Sequence, residues 1–596
     1  MYKNLREFLN RLERAGELKH IRQVVSSYLE ISKLTDRESK SPHGGAALLF
    51  ENVQNSAFPV ATNIFGSPKR ICMALGVEHL DDLAERVRAY INMNPPKTLK
   101  AALGMLPLAI GLTRFFPRTF KGKTPPCREV VLTGEQIDLS KLPVLHCWPK
   151  DAGPFITLPL VFTRSLETGR QNLGMYRMQV FDKTTTGMHW HIHKDGSHYF
   201  NEYRRAGKRM PVSVAIGADP ATIYAATAPM PRGIDEILLA GFIRQKPVIM
   251  TRCLTNDLNV PAEAEFILEG YVDPNELRWE GPFGDHTGYY SLADHYPVFH
   301  VTAITHRNNP IYNATLVGRP PMEDCYLAEA TERLCLPLLQ TVMPEVEDYW
   351  LPWEGVFHNS VVVSLDKEYA GHAHKLVSGL WGQGQMSFCK TITVVDRDVS
   401  PRDRSTLIDL LLTRLDLSSD IIQTKGVLDV LDHSASAANF GAKIGIDLTT
   451  RFPGEPDRHP LPLPAPPQPP LNASAVQRLV AEVRNCRFLF SEKPETNRTV
   501  NRLLALSVEK GETQSGREIS DKLATTQALT PFNVLIFFDA DIDLSDGSLM
   551  LWKIFNNVDP SRDMVFYDSR VIINACKKGP ADGHVRPWPE DLTFDE

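Results

Sequence analysis

Several large classes of protein are excluded by what this 596-residue chain lacks. No apolar run reaches the ~18 residues that a membrane span needs. None of its nine cysteines forms a C-x-x-C pair. Their odd number, in a chain this long, points to reduced thiols rather than a disulfide framework. A net charge of -6 gives no electrostatic case for nucleic acid. The opening residues, Met1-Tyr2-Lys3-Asn4-Leu5-Arg6, begin a charged amphipathic helix and not a signal h-region. Together these absences predict a cytoplasmic protein. Nucleotide and calcium fingerprints are missing too. Gly122-Lys123-Thr124 would end a P-loop, but Pro117 stands where its first glycine is required. Gly382-Gln383-Gly384 lacks the third glycine of a dinucleotide site. Asp539-Ala540-Asp541-Ile542-Asp543 has the acids of a calcium loop, yet Leu544 replaces its glycine and Met550 its closing glutamate.

What is present is ordinary globular composition, 43% hydrophobic and 23% charged, in a length that suits roughly three or four domains of ~150 residues. Leu5, Phe8, Leu9, Leu12 and Leu18 predict an amphipathic helix over 5–18. Ala47-Leu48-Leu49-Phe50 and Pro59-Val60-Ala61-Thr62 predict buried strands alternating with helices such as 79–92, hence an α/β domain over 1–125. Leu99 to Leu112, broken by Pro107, leads into the basic and aromatic run ending at Lys123. It reads as a packed helix with a basic connector, or as a patch for a membrane surface. Proline crowds residues 453–470, marking 453–474 as a linker. After it the chain repeats itself. Ile392-Thr393-Val394-Val395-Asp396 through Asp403, Asp416 and Asp420 aligns without gaps on Leu535-Ile536-Phe537-Phe538-Asp539 through Asp546, Asp559 and Asp563. Each copy predicts strand, acidic turn, helix, acidic turn.

Three stretches carry chemistry. In Trp279-Glu280-Gly281-Pro282-Phe283-Gly284-Asp285-His286-Thr287-Gly288-Tyr289-Tyr290, Pro282 and the glycines predict a turn that sets two carboxylates toward one cavity. That arrangement suits proton transfer, and it also suits a solvated loop. In Met188-His189-Trp190-His191-Ile192-His193, alternation places three histidines on one strand face, either as a metal site or as a polar outer face. In Ala228-Pro229-Met230-Pro231-Arg232-Gly233-Ile234-Asp235-Glu236, the two acids open an apolar helix, where they satisfy its dipole or serve as ligands.

With Leu5-Arg6-Glu7-Phe8-Leu9, Gly16-Glu17-Leu18, Pro59-Val60-Ala61-Thr62-Asn63 and Phe65-Gly66, and with Asn172-Leu173-Gly174-Met175-Tyr176-Arg177 in the order these motifs take, the sequence is identified as a member of the UbiD family of decarboxylases, which use prenylated FMN. The resemblance implies a multidomain α/β and α+β fold: an N-terminal α/β domain (1–125), a central split β-barrel that binds the flavin (126–305), a C-terminal α/β domain (306–452), and an extension (475–596) repeating part of it, with a structural or assembly role. It implies a cofactor site of Asn172, Gly174, Met175, Tyr176, Arg177, His193, Pro229, Met230, Glu236 and Lys390. Asn172, His193 and Glu236 would hold a divalent metal, manganese, against the flavin phosphate, with potassium as a second ion. His189 and His191 are left without a role. Asn533 replaces Lys390 in the second copy, which therefore binds no flavin. Arg177, Glu280 and Asp285 form the implied catalytic set, Arg177 pairing with Glu280 and Asp285 acting as an acid whose pKa is raised by burial beside Glu280. Many family members have Glu where this chain has Asp285. Similarity to the quinone-forming branch implies a prenylated, hydroxylated aryl carboxylate of the 4-hydroxybenzoate or dihydroxynaphthoate type, in ubiquinone or menaquinone biosynthesis. It further implies a flavin prenyltransferase as partner, a homo-oligomer (dimer or hexamer), and peripheral contact with the inner face of the membrane. Two other classes remain open: a metal-dependent hydrolase built on His189, His191 and His193, and a non-catalytic scaffold of the same fold.

Overall fold

The computed structural model describes residues 1–91, 113–190, 195–230, 235–458, 473–489, 502–567 and 570–594. The segment 99–112, with its expected packed helix or membrane patch, lies outside the described residues, as do His191, His193 and most of the proline-dense linker. Two compact units emerge, one of Met1–Leu334 with Glu590–Glu596, the other of Cys335–Pro589. Residues 306–334, assigned from sequence to the third domain, thus belong with the first two. The reason is that Tyr312–Asn313 pairs in parallel with Val60–Thr62 and completes the N-terminal sheet.

In the first unit, Asn4 caps helix Leu5–Arg14 by accepting from the Glu7 N–H, and Leu5, Phe8, Leu9 and Leu12 bury one face. The helix is shorter than expected. Gly16, at φ 71, reverses the chain, and Leu18 opens strand Leu18–Val25 instead of closing the helix. The central sheet has seven strands, built around a long antiparallel pair, Phe266–Glu280 against Asp294–His306. Strand Met210–Ile216 pairs with Phe266–Glu280, then Leu160–Arg164 and Gln171–Met175 follow outward. Thr185–Gly187 flanks the other side. Side chains alternate across the pair, so Leu277 and Trp279 face outward while Glu280 turns in. Phe266, Leu268, Val272, Phe299 and Val301 fill the core beneath. The connection between the two strands, 281–293, is the acid-bearing turn.

The second unit contains the repeat as two five-stranded sheets. In the first, Val346–Trp350, Ser360–Leu365, Thr391–Asp396, Phe440–Asp447 and Ile421–Val427 lie in that order, and their pairings run antiparallel, parallel, parallel, antiparallel. The second repeats the scheme with Val483–Leu489, Leu503–Val508, Val534–Asp539, Arg570–Asn574 and Met564–Tyr567. The repeated acids do the same work in both copies. Asp403 and Asp546 cap helices Arg404–Thr413 and Gly547–Asn557, and Asp420 and Asp563 each accept the N–H of the aspartate four residues earlier at 2.8 Å. They are turn and cap devices, which explains acids in calcium-like spacing without a calcium loop.

Candidate active site

Arg177 follows strand Gln171–Met175, and its guanidinium is the hub of the site. Its Nε and Nη2 donate to Glu280 Oε1 at 3.1 and 3.0 Å, Nη2 also donates to Ser291 Oγ at 3.0 Å, and Nη1 pairs with Asp285 Oδ2. The guanidinium carbon lies 4.9 Å from the centre of the Phe283 ring, a cation–π contact. One planar fork therefore reads both carboxylates of the turn and its far end at Ser291. Glu280 and Asp285 are buried, at 1% and 7% exposure.

The turn is held by its backbone. Gly284 N–H donates to Asp151 Oδ1 at 2.7 Å, and the Cys147 and Trp148 N–H groups occupy the other oxygen at 3.1 and 3.0 Å. Burial pushes the Asp151 carboxyl up to about 7 against these three donors. A Cβ on Gly284 would lie 2.1 Å from Trp148 Cδ1, so only glycine lets the turn approach that indole. Gly288, at φ +84, closes the turn by donating to Asp285 O at 3.0 Å.

The electrostatics depart from expectation at Asp285. Burial does raise its carboxyl, but Arg177, with His286 at 2.9 Å, outweighs burial and holds the group well below the usual carboxylate range. Burial likewise opposes ionisation of Glu280, and Arg177 and His189 reverse it, leaving that carboxyl lowered as well. The raised pKa expected of Asp285 from its neighbour Glu280 is thus corrected: a shared cation stands between the two acids.

His189, offered by the sequence only as a candidate metal ligand, takes a different place. The chain at 188–190 is irregular and not a strand, and this turns His189 inward, 4% exposed, with Nδ1 at 2.7 Å from Glu280 Oε1. Its ring stacks on Tyr296, centroids 4.0 Å apart, and burial keeps the imidazole pKa below its ordinary value. Burial pushes the Tyr296 hydroxyl up to about 12. Its sequence signal, the alternation of three histidines with apolar residues, pointed to a metal and not to Glu280.

A second cluster brings together Asn172 and Glu236. The Asn172 amide donates to Glu236 Oε1 and accepts from the Leu173 N–H, both at 3.2 Å, while Glu236 Oε2 accepts from Leu173 N–H at 2.9 Å. Asp235, not Glu236, caps helix Glu236–Arg244, which frees Glu236 to face the strand. Burial pushes its carboxyl up to about 8. With the Asn172 amide turned to present its oxygen beside the Glu236 carboxylate, the two make a hard-oxygen donor pair, and a divalent cation relieves the burial of the charge, so these residues fit the implied metal. Gly174 and Met175 end the same strand and Tyr176 follows it toward Arg177, with Tyr176 buried and Met175 partly so. Pro229 and Met230 are half-buried just before the residues left undescribed. Among the described residues no group of three His, Cys, Asp or Glu side chains stands ready to hold a metal.

Lys390 lies in the second unit, 2% exposed, with Nζ donating to Asp432 Oδ2 and Ser434 Oγ at 2.8 Å each. A buried carboxylate already neutralises its charge, so contact with a flavin phosphate requires that pair to open.

Comparison with known proteins agrees with this layout. Residues 9–89, 118–320, and 325–448 with 475–575 match the N-terminal, Rift-related and C-terminal domains of 3-octaprenyl-4-hydroxybenzoate carboxy-lyase. An uncharacterized protein of Archaeoglobus fulgidus is 49% identical over 76% of this chain and 92% of its own. One from Helicobacter pylori is 38% identical over 98% of this chain and 94% of its own. Among solved structures, the UbiD-class enzyme HmfF from Pelotomaculum thermopropionicum, in complex with FMN, aligns at a TM-score of 0.65 and 29% identity, covering 76% of this chain and 95% of that one. Vanillic acid decarboxylase from Sedimentibacter hydroxybenzoicus aligns at 0.67 and 26%, covering 78% and 96%.

Proposed function

Because the chain belongs to the UbiD family, whose members are carboxy-lyases, we propose that it removes carbon dioxide from a hydroxylated aryl carboxylate with the help of a prenylated flavin. The observation that carries this reading is Arg177 held between two buried carboxylates. Loss of carbon dioxide leaves an electron pair on the ring carbon, and a prenylated flavin, when bound, supplies the sink for it. Asn172 and Glu236 would hold the manganese that anchors such a cofactor, with His193 as third ligand and potassium as a second ion.

The chain's own residues handle the carboxylate and the proton. Arg177 is the group that orients the substrate carboxylate, since its fork matches two oxygens. Turning toward that carboxylate, it loosens from Asp285. Burial then outweighs the remaining pull of His286 on Asp285, and its carboxyl takes up a proton. That proton passes from Asp285 Oδ to the ring carbon as carbon dioxide leaves, so one proton is consumed per turnover and the carboxylate is regenerated. Glu280 stays ionised throughout, with Arg177 and His189 converging on its Oε1. Asp285 is an acid made only by the bound substrate, which reconciles its lowered pKa with a donor's role.

On substrate, the Gly284-Asp285-His286-Thr287-Gly288-Tyr289-Tyr290 run supports a quinone-pathway acid, of 4-hydroxybenzoate or dihydroxynaphthoate type, carrying a prenyl tail. A flavin prenyltransferase would supply the cofactor, the protein would work as a homo-oligomer, and the tail would be met at a membrane surface. The test is to offer both ring types, with and without a short prenyl tail, and to measure carbon dioxide release and ring-proton exchange. Turnover of a quinone precursor is expected. Rapid turnover of cinnamic acid with neither precursor touched would overturn this assignment.

A further inference from the structure

The end of the chain returns to the unit that carries the site. There residues 590–592 pair with the acid-bearing turn through an isolated antiparallel bridge. Tyr290 N–H donates to Glu590 O at 3.1 Å, Leu592 N–H donates to Gly288 O at 2.9 Å, and Tyr289 and Asp591 form an antiparallel bridge. Past this pairing, Phe594 stacks on Trp148, with centroids 4.3 Å apart and planes 25° apart. Leu592 and Phe594 both pack against the core of the first unit. The Lys150–Glu590 ion pair is half-exposed on both sides and adds little.

Both anchor points act on the same turn. Trp148 is 1% exposed and fixed by its indole N–H, which donates to Val317 O at 3.0 Å. Its pyrrole edge is what a Cβ on Gly284 would strike, and its benzo edge is what one on Gly318 would strike, at 2.7 Å. Phe594 therefore presses on the indole against which Gly284 sits, one residue before Asp285. On the other side of Asp285, the tail pairs with 288–290. Between the anchors, Asp285 N–H donates to Tyr289 O at 3.1 Å. On the same edge the Tyr290 hydroxyl also accepts from the Lys150 N–H at 3.1 Å.

We propose that residues 590–594 are a positioning segment for the reaction, setting the reach of Asp285 and His286 toward the substrate. Main-chain pairing supplies the hold, and the Phe594–Trp148 stack fixes the register. Leu592 and Phe594 act through the turn, by main-chain pairing and the Trp148 stack. The proposal rests on the decarboxylase reading.

The experiment uses the cofactor-loaded full chain, a variant ending at Pro589, and the single changes Leu592→Pro, which deletes one pairing donor, and Phe594→Ala. Amide hydrogen exchange at 285–290 is followed beside kcat and KM. Faster exchange is expected in all three variants, with kcat lowered about 100-fold, the scale of a misplaced reacting group, and KM little changed. Phe594→Tyr should retain both properties. A synthetic peptide spanning residues 588–596, and not its scrambled form, should restore both to the truncated chain. Unchanged exchange on truncation, or faster exchange with unchanged kcat, overturns the proposal. A full chain that releases no carbon dioxide from any aryl acid while still protecting 285–290 overturns the decarboxylase reading itself, and the positioning role with it.

Discussion

Replacing Glu280 by Gln separates the charge of this residue from its shape. Three donors converge on Oε1: Arg177 Nε at 3.1 Å, Arg177 Nη2 at 3.0 Å and His189 Nδ1 at 2.7 Å. A glutamine can present its amide oxygen to the same three, so the local geometry survives. What changes is the other position. Glu280 Oε2 is buried without a hydrogen-bond partner among the described residues, and it lies only 3.3 Å from where a Cβ on Gly187 would be. An amide NH2 placed there is a buried donor with nothing to meet, which costs about 1–3 kcal/mol of stability. Activity should fall much further. With the charge gone, Arg177 is balanced by Asp285 alone and is held more tightly to it, so it no longer turns to the substrate. Loss of one positioned acid–base group is worth about 10²–10⁴-fold in rate, or about 3–5 kcal/mol in barrier height. Urea unfolding reads the stability cost, and carbon dioxide release by the loaded enzyme reads the loss of rate. A folded Glu280→Gln variant with near-normal turnover would refute the reasoning.

Three further outcomes follow from the same geometry. Because Arg177 lowers the Asp285 pKa, the pair contributes stability above the ordinary carboxylate pKa of ~4, and that contribution is lost as pH falls through the lower, folded-state value. The stability gap between wild type and Asp285→Asn should thus grow from pH ~2 to ~5 and stay level above, toward the ~3–5 kcal/mol typical of a broken buried pair; a gap independent of pH would argue against it. Substrate binding should take up close to one proton per site in a weakly buffered solution, and Asp285→Asn should abolish the uptake; equal uptake by the variant would assign the proton elsewhere. Glu236→Ala should leave purified protein without manganese, as read by elemental analysis, and without flavin absorbance, whereas Glu167→Ala, on an exposed residue, should leave both unchanged; full metal content in Glu236→Ala would remove that residue from the metal site.

Much of this site was legible because its chemistry is carried by short, local spacings. Gly281, Pro282, Gly284 and Gly288 announce a turn, and the turn alone brings Glu280 and Asp285 to the same guanidinium. The alignment of Asp396, Asp403, Asp416 and Asp420 on Asp539, Asp546, Asp559 and Asp563 gave a strand, turn, helix and turn in each copy, and the structure sets these within two sheets of one strand order. What stayed hidden depends on partners distant in sequence. His189 gained its role from Glu280, 91 residues away, after an irregular stretch that period-two alternation cannot reveal. The ionisation of Asp285 is decided by Arg177, 108 residues earlier, so burial beside Glu280 alone gave the wrong sign. Lys390 matched a family position, but no local pattern shows that its ammonium pairs with Asp432. Residues 312–313 join the first unit by pairing with a strand some 250 residues earlier, a long-range contact of the kind that hydrophobic pattern does not encode.

The most direct test of the central claim is one preparation and one assay. The full chain is co-expressed with a flavin prenyltransferase, purified, and examined for bound flavin absorbance while carbon dioxide release from hydroxylated aryl carboxylates is measured on the same sample. The account predicts a flavin spectrum, together with carbon dioxide release that Arg177→Ala eliminates without unfolding the protein. Protein that carries no flavin, or carbon dioxide release that persists undiminished in a folded Arg177→Ala variant, would contradict it.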